Sequence, residues 1–227
     1  MKQRMLGFFS GFPSHHFPRE IAERLKESLI ERESIVFVSA WPEDHDRNDS
    51  DLEGMYEMFL EGDMDFGEHR VIDRRDSPQT AREAVRQASC IFLMGGHPGL
   101  QLQMIKDMGL DAVIRESRAV VLGVSAGAIN MAVRSLDTKE SPVPYPGLGL
   151  ADVTVKPHFD PGHEGVLSAL MKISMQLPIC AMEDDSAIFI VKDGIFGTGA
   201  VHWIDRGVME PFSPEKLNIP GKKLKGC

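Results

Sequence analysis

The amino-acid sequence predicts an α/β fold with a mostly parallel, twisted sheet, helices on both faces of that sheet, and antiparallel additions near the C-terminus. Over the first 150 residues, short and continuously apolar segments alternate with amphipathic segments. Strands that are buried on both faces have such apolar runs, and helical connections place successive strands parallel. Beyond residue 150 the strand-like segments are short and separated by glycines, which favours antiparallel pairing.

The individual elements follow from these patterns in chain order. Strands are predicted where β-branched and other apolar residues run without interruption, at 5–9, 34–40, 70–72, 90–94 and 119–124. Helices are predicted where apolar residues recur every three or four positions, at 18–30, 52–60, 78–88, 100–108 and 126–133. The last part of the chain adds strands at 153–155 and 188–191 and a helix at 164–175. We expect residues 1–210 to form one domain and residues 211–227 to form a loosely packed tail.

The charge of the chain is concentrated in one segment. The 227 residues include 34 acidic and 25 basic side chains, a formal net charge of −9. The segment 43–65 contains ten acidic residues and one basic residue, Arg47, so it accounts for the whole excess. Its start resembles a calcium-binding loop, but Asp49 and Met55 occupy positions that require Gly and Glu. We therefore predict a solvated loop followed by a helix with an acidic outer face.

Several classes of protein are disfavoured by composition. A chain without a basic surface excess is not expected to bind nucleic acid. The N-terminus lacks the apolar stretch of a signal peptide, and no apolar run is long enough to span a membrane. The cysteines Cys90, Cys180 and Cys227 lack metal-binding spacing, and no dinucleotide or phosphate-loop motif is present. These observations predict a cytoplasmic protein with reduced thiols and with neither a metal nor another cofactor.

The strongest local signal is the sequence GVSAGA at residues 123–128. It follows a predicted strand and precedes a predicted helix, which is the arrangement of a nucleophile elbow. In such a turn the small residues let strand and helix approach each other, and the serine hydroxyl projects above the sheet. Ser125 is therefore a candidate nucleophile, although serine is also a common helix N-cap.

A serine nucleophile needs a base and an orienting carboxylate. His158 is the best-placed histidine, because it lies just after a predicted strand, and His97 has a similar position. The sequence leaves the carboxylate open among Asp184, Glu183, Asp160 and Asp137. The paired glycines Gly95 and Gly96 close the strand at 90–94 and could expose backbone N–H groups. We expect the N–H groups of Gly96 and Ala126 to stabilise an oxyanion.

Four motifs together resemble the peptidase E family, which includes aspartyl dipeptidases and cyanophycinases. They are FLMGG at 92–96, GVSAGA at 123–128, PHF at 157–159 and EDDSAI at 183–188. The resemblance covers about residues 5 to 205. It implies a fold similar to class I glutamine amidotransferases, a serine peptidase without a metal, Ser125 as nucleophile and His158 as base. Asp184 stands where the family has a Glu, and residues 160–164 lack the Arg that accompanies a preference for acidic side chains.

The expected function is a serine peptidase that hydrolyses short peptides, resembling dipeptidase E. The triad would be Ser125, His158 and Asp184, and the substrate would contact Gly95, His97, Glu183 and Asp160. Part of the acidic segment 43–65 is expected to approach the site and disfavour acidic substrates, and a homodimer is left open. The alternative is a catalytically weak or inactive member of the same fold that binds peptides or small molecules as a regulatory module. A glutamine amidotransferase is disfavoured because no cysteine occupies the elbow.

Overall fold

The computed structural model describes residues 4–138 and 143–217. The strands are β1 Leu6–Phe9, β2 Ser34–Val38, β3 Glu68–Ile72, β4 Cys90–Leu93, β5 Val120–Val124, β6 Arg134–Ser135, β7 Tyr145–Pro146, β8 Val155–Lys156, β9 Ile179–Met182, β10 Ala187–Val191, β11 Gly194–Thr198, β12 Val201–Asp205 and β13 Val208–Pro211. The helices are α1 Arg19–Ser28, α2 His45–Glu61, α3 Pro78–Gln87, α4 Pro98–Asp107, α5 Leu110–Glu116, α6 Ala126–Met131 and α7 Glu164–Ser174, with a 3₁₀ turn at Pro214–Lys216.

A seven-stranded sheet forms the centre of the fold, in the order β11-β10-β1-β5-β4-β2-β3. The five strands from β1 to β3 in that order are parallel, and β10 and β11 are antiparallel additions at one edge. The predicted fold class is therefore confirmed. Because β1 and β5 are parallel neighbours, the residues that follow them meet at the same edge of the sheet.

Apolar layers cover both faces of this sheet. On one face a cluster of aromatic rings, which includes Phe9, Phe37, Phe59 and Phe92, packs under α1 and α2. On the other face aliphatic side chains of α3 to α6 pack against the sheet. Burial on both faces explains why β2, β4 and β5 are apolar at nearly every position rather than at alternate ones.

A second sheet of four strands, in the order β13-β12-β9-β8, stands beside the first. Strands β8 and β9 are parallel, whereas the pairs β9–β12 and β12–β13 are antiparallel. Helix α7 packs on this sheet through Leu170, and Phe159 completes the small core there. A two-stranded ribbon of β6 and β7 is separate from both sheets.

The structure corrects three sequence predictions. Helix α2 begins at His45 rather than at residue 52, so the predicted solvated loop is largely helical. Asp44 starts the helix by accepting a hydrogen bond from the Arg47 N–H at 3.4 Å, whereas apolar periodicity appears only later in the helix. Helix α5 was not predicted, because it has only seven residues and follows α4 directly after Gly109, whose φ is 65°. Strand β9 was also not predicted, although its four residues are all buried and apolar.

Three other predictions concern the C-terminal tail, the cysteines and membrane-spanning segments. Strand β13 ends at Pro211, and Phe212 and Leu217 pack against the main core, while residues 218–227 lie outside the described residues together with Cys227. Cys90 and Cys180 are buried, and burial raises the pKa of both thiols. None of the helices in 4–138 and 143–217 combines the length and apolar character needed to cross a bilayer. The division into a domain and a tail stays a prediction.

Candidate active site

Ser125 occupies a strained turn between β5 and α6. Its φ and ψ are 50° and −108°, a conformation that side-chain-bearing residues rarely adopt and that nucleophile elbows share. The Ser125 N–H is held by the carbonyl oxygens of Phe9 and Ser10, each at 3.0 Å. Its side chain makes no cap hydrogen bond to its own helix. The hydroxyl is therefore directed away from α6.

The two glycines of the elbow are required by close packing. A Cβ on Gly127 would lie 2.1 Å from Leu93 O on β4, and a Cβ on Gly123 would lie 2.6 Å from the backbone of Gly127. Both distances are too short for any side chain. The sequence pattern at 123–127 therefore reflects the close contact of β4, β5 and α6.

His158 lies beside Ser125, at the end of the segment that follows β8. Its Nε2 is 2.9 Å from Ser125 Oγ. The His158 backbone has a φ of 51°, in the left-handed region that residues other than glycine rarely adopt. The rival histidine, His97, is instead the N-cap of α4, where Nδ1 accepts the Leu100 N–H at 3.3 Å.

Of the four candidate carboxylates, Asp184 is the one in contact with the His158 ring. Its Oδ1 is 2.7 Å from His158 Nδ1. Glu183 points elsewhere and pairs with His202 Nε2 at 2.7 Å, and Asp160 accepts the Gly162 N–H at 2.8 Å within its own turn. Asp137 is buried and lines the pocket described below.

Ser125, His158 and Asp184 form one continuous chain of hydrogen bonds. With Nδ1–H donating to the carboxylate, Nε2 of the neutral ring accepts the Ser125 Oγ–H. This arrangement polarises the hydroxyl toward proton loss. The His158 and Asp184 side chains remain about two-fifths exposed, so a substrate can reach them from solvent.

A pocket of about 210 Å³ opens in front of Ser125. Gly96 and Ala126 line it, and within the described residues neither of their N–H groups donates a hydrogen bond. Gly95 lies next to the Ser125 side chain, since a Cβ added at Gly95 would be 3.6 Å from Ser125 Cβ. Gly96 has a φ of 137°, which suits glycine. Two backbone donors thus stand beside the candidate nucleophile.

The pocket has walls that sequence analysis missed. Trp41, which follows β2, packs its indole so closely on Gly96 that a Cβ there would lie 2.4 Å from Trp41 Nε1. Lys156 is nearly buried, and Ile129 and Leu136 add apolar surface. The signal for Trp41 was its position directly after a parallel strand, on the same sheet edge as Ser125.

The acidic segment 43–65 contributes no residue to the lining of the pocket. Its only basic residue, Arg47, lies over the Trp41 ring at 4.6 Å, and Asp49 pairs with Arg75. Asn48 donates to Trp41 O and to Asp73, and so connects Trp41 to α2. The segment therefore supports the pocket wall, and its effect on acidic substrates stays a prediction.

Two titratable groups near these walls have shifted pKa values. Burial opposes the ionisation of Asp73, but hydrogen bonds from Arg75 and Asn48 outweigh it and lower its pKa. Burial, with a smaller contribution from Asp137, raises the pKa of Tyr145 to about 12. Tyr145 is therefore a neutral phenol at physiological pH.

The other kinds of site to compare with the elbow in the described chain are a second depression and a metal centre. A depression of about 540 Å³ lies beside β2, β3 and α3, around Ser34, His69 and Thr80, but it contains no member of the Ser125 hydrogen-bond chain. Across residues 4–138 and 143–217, no three His, Cys, Asp or Glu side chains are arranged to hold a metal ion. The groups suited to chemistry are thus concentrated at the elbow.

The comparisons with known proteins identify the family and the fold. The family model for peptidase family S51 matches residues 9–197. A peptidase from an acI-B1 actinobacterium has a similar structure, with a TM-score of 0.69 and 19% sequence identity over 93% of this chain and 98% of its own. A protein described as a peptidase E from Listeria monocytogenes EGD-e gives 0.65 and 18% over 86% and 98%. No curated protein matches the sequence. The resemblance to the peptidase E family is confirmed, and the chain belongs to peptidase family S51.

Proposed function

We propose that this protein is a serine peptidase that hydrolyses short peptides, with Ser125 as nucleophile, His158 as general base and Asp184 as the orienting carboxylate. The observation that carries the proposal is the unbroken hydrogen-bond chain from Ser125 Oγ through the His158 ring to Asp184 Oδ1, at 2.9 and 2.7 Å. Family membership supports a peptidase. The geometry supports the assignment of roles.

The first half of the reaction forms an acyl-enzyme. Ser125 Oγ attacks the carbonyl carbon of the scissile bond while His158 Nε2 takes the hydroxyl proton. The carbonyl oxygen becomes an oxyanion, which the N–H groups of Gly96 and Ala126 stabilise. A donor of this kind contributes roughly 10²- to 10³-fold to the rate. His158 then gives its proton to the leaving amine.

The second half reverses these roles with water. His158 takes a proton from water, the hydroxide attacks the acyl-enzyme, and Ser125 leaves with the proton returned by His158. Asp184 stabilises the imidazolium in both halves and holds the ring in the tautomer that leaves Nε2 as an acceptor. The carboxylate is not protonated in the cycle.

The size of the pocket supports a short substrate. Its volume of about 210 Å³ is below the range of roughly 300–1,000 Å³ of sites that enclose a drug-sized ligand. Trp41, Ile129 and Leu136 provide apolar walls, while Lys156 and Asp137 provide charges. We expect one or two residues on the acyl side of the scissile bond to fill it.

A fluorophosphonate probe and a dipeptide library test the proposal together. Wild-type protein should be labelled on Ser125 and should hydrolyse a subset of the dipeptides. Ser125→Ala should lose the label and roughly 10⁴-fold or more of the activity, because the nucleophile is the source of the covalent intermediate.

Ser77→Ala is the matched control, since Ser77 is an exposed serine that also precedes a helix, at the N-cap of α3. It should be labelled and active like wild type. If folded wild-type protein is not labelled, or if Ser125→Ala hydrolyses peptides at the wild-type rate, the assignment of the nucleophile is wrong.

A further inference from the structure

The members of the Ser125–His158–Asp184 chain come from different parts of the fold. Ser125 follows β5 of the seven-stranded sheet, whereas His158 follows β8 of the four-stranded sheet. Asp184 lies in the connection from β9 to β10, which passes from one sheet to the other. The distance from nucleophile to base therefore depends on how the two sheets are held together at this edge.

Ser10 lies at the junction of the two sheets. It directly follows β1, is fully buried, and is not part of the proposed reaction. Its Oγ accepts the His158 backbone N–H at 2.7 Å. The same oxygen is 2.9 Å from Met182 O and 3.2 Å from Asp184 Oδ1, so its single proton is shared between a backbone carbonyl and the carboxylate.

The backbone of Ser10 and of the next residue contacts the rest of the site. Ser10 O accepts the Ser125 N–H at 3.0 Å, and Ser10 N–H donates to Ser186 O at 3.1 Å. Gly11 O accepts the Asp185 N–H at 2.8 Å. This Ser10–Gly11 pair thus touches the turn of the nucleophile, the segment of the base and the segment of the carboxylate.

Gly11 also leaves the space in which the His158–Asp184 hydrogen bond forms. A Cβ at this position would lie 2.4 Å from His158 Cε1 and 2.7 Å from Asp184 Oδ1. Because both neighbours are functional atoms, any side chain at residue 11 would push the imidazole or the carboxylate away. Ser10 and Gly11 therefore both act on the His158–Asp184 hydrogen bond. Ser10 positions its two partners, and Gly11 leaves the space that they occupy.

We propose that Ser10 is a positioning residue, which uses its buried hydroxyl to hold the His158 backbone and the Asp184 carboxylate in register with Ser125. The inference rests on the proposed function for its catalytic consequence. Its geometric part, the fixed orientation of the His158 ring, stands independently of turnover. Misplacing a catalytic group by about 1 Å can cost on the order of 10² in rate, so the effect on kcat is large for a group that never touches substrate.

The test compares Ser10→Ala with Ser174→Ala. Ser174 is also buried and its Oγ also joins two backbone groups, Met171 O and the Gly207 N–H, but it lies at the end of α7, outside the proposed site. Both variants lose one buried hydroxyl, and their melting temperatures measure that common cost. Ser10→Ala should lower kcat roughly 10- to 100-fold with KM little changed, as expected when only the transition state is affected. Ser174→Ala should retain the wild-type kcat.

A second readout does not depend on activity. In protein with ¹⁵N-labelled histidine, the His158 Nδ1 proton should give a downfield resonance that is protected from water by the bond to Asp184. That resonance should broaden or vanish in Ser10→Ala and in Gly11→Ala and persist in Ser174→Ala. A wild-type kcat together with an intact resonance in Ser10→Ala, or no protected resonance in wild type, overturns the proposal. If wild type lacks Ser125-dependent turnover, the proposed function fails, whereas the resonance still decides the role of Ser10.

Discussion

The tight contact behind the elbow makes Gly127 the position where one added methyl group should have the largest effect. In Gly127→Ala the new Cβ would lie 2.1 Å from Leu93 O, whereas ordinary contacts begin at 3.4 Å. Helix α6 and strand β4 must therefore separate by about 1.3 Å, and both partners are main chain, which cannot rotate away. Overpacking typically costs about 1–3 kcal/mol, and a clash with backbone belongs at the upper end of that range.

That cost translates into a measurable change in melting temperature. For a chain of this size, 1 kcal/mol lowers Tm by roughly 2–4 °C, so Gly127→Ala should melt about 6–12 °C below wild type. The same movement displaces the Ser125 turn, and we expect fluorophosphonate labelling to slow by about 10²-fold. Calorimetry and a labelling time course measure the two effects on one preparation.

Gly54→Ala is the matched control for this prediction. Gly54 is exposed within α2, and its Cβ position has nothing within 4 Å. Alanine is favoured over glycine in a helix by about 0.5–1 kcal/mol, so Tm should rise by a few degrees and labelling should be unchanged. A Gly127→Ala protein that melts with wild type and is labelled at the wild-type rate would refute the packing explanation of the elbow.

Two further predictions concern carboxylates. Asp184→Asn should reduce kcat by about 10⁴-fold, because the amide favours the wrong imidazole tautomer. Glu183→Gln should reduce kcat far less, since Glu183 pairs with His202. Steady-state kinetics of the two variants test this difference, and equal losses of kcat would contradict the assignment of Asp184. Because the pKa of Asp73 is lowered in the folded protein, its contribution to the free energy of unfolding is complete above the unfolded value of about 3.9 and is lost as the pH falls through the lower folded value. Urea unfolding from pH 7 to pH 3 should therefore show a shallower acid loss in Asp73→Asn than in wild type, and parallel curves would remove Asp73 from the explanation.

Much of the fold could be predicted because it depends on local patterns. Continuous apolar runs marked β2, β4 and β5, and the antiparallel additions were expected from the glycine-rich C-terminal part. Helix α2 was predicted too short because the buried residue of its first turns is the polar Asn48, so no apolar periodicity marks them. Helix α5 was missed because seven residues give too little periodicity to separate a helix from a turn. The short apolar run of β9 was not recognised, because a run of that length does not by itself distinguish a strand from a buried helical segment.

The candidate site could likewise be predicted only in part from the sequence. Ser125 was identified from the sequence because the elbow is a local structure, in which glycine, serine and glycine are required by one turn. His158 and Asp184 were named as candidates, but the choice of Asp184 over its neighbour Glu183 depends on which side chain faces the ring. In the structure adjacent residues point to different partners, Asp184 to His158 and Glu183 to His202.

The sequence by itself thus determined the alternation of strands and helices, the elbow and the family, since the individual elements and motifs are each short runs of contiguous residues. Only the tertiary structure brought Ser10 and Trp41 to the site, each at the end of a parallel strand and far along the chain from Ser125. The contact of the Ser10 hydroxyl with segments of both sheets corresponds to no periodic pattern in the sequence. Its position depends on strand order and on the contact between sheets, which are decided by packing across the whole chain.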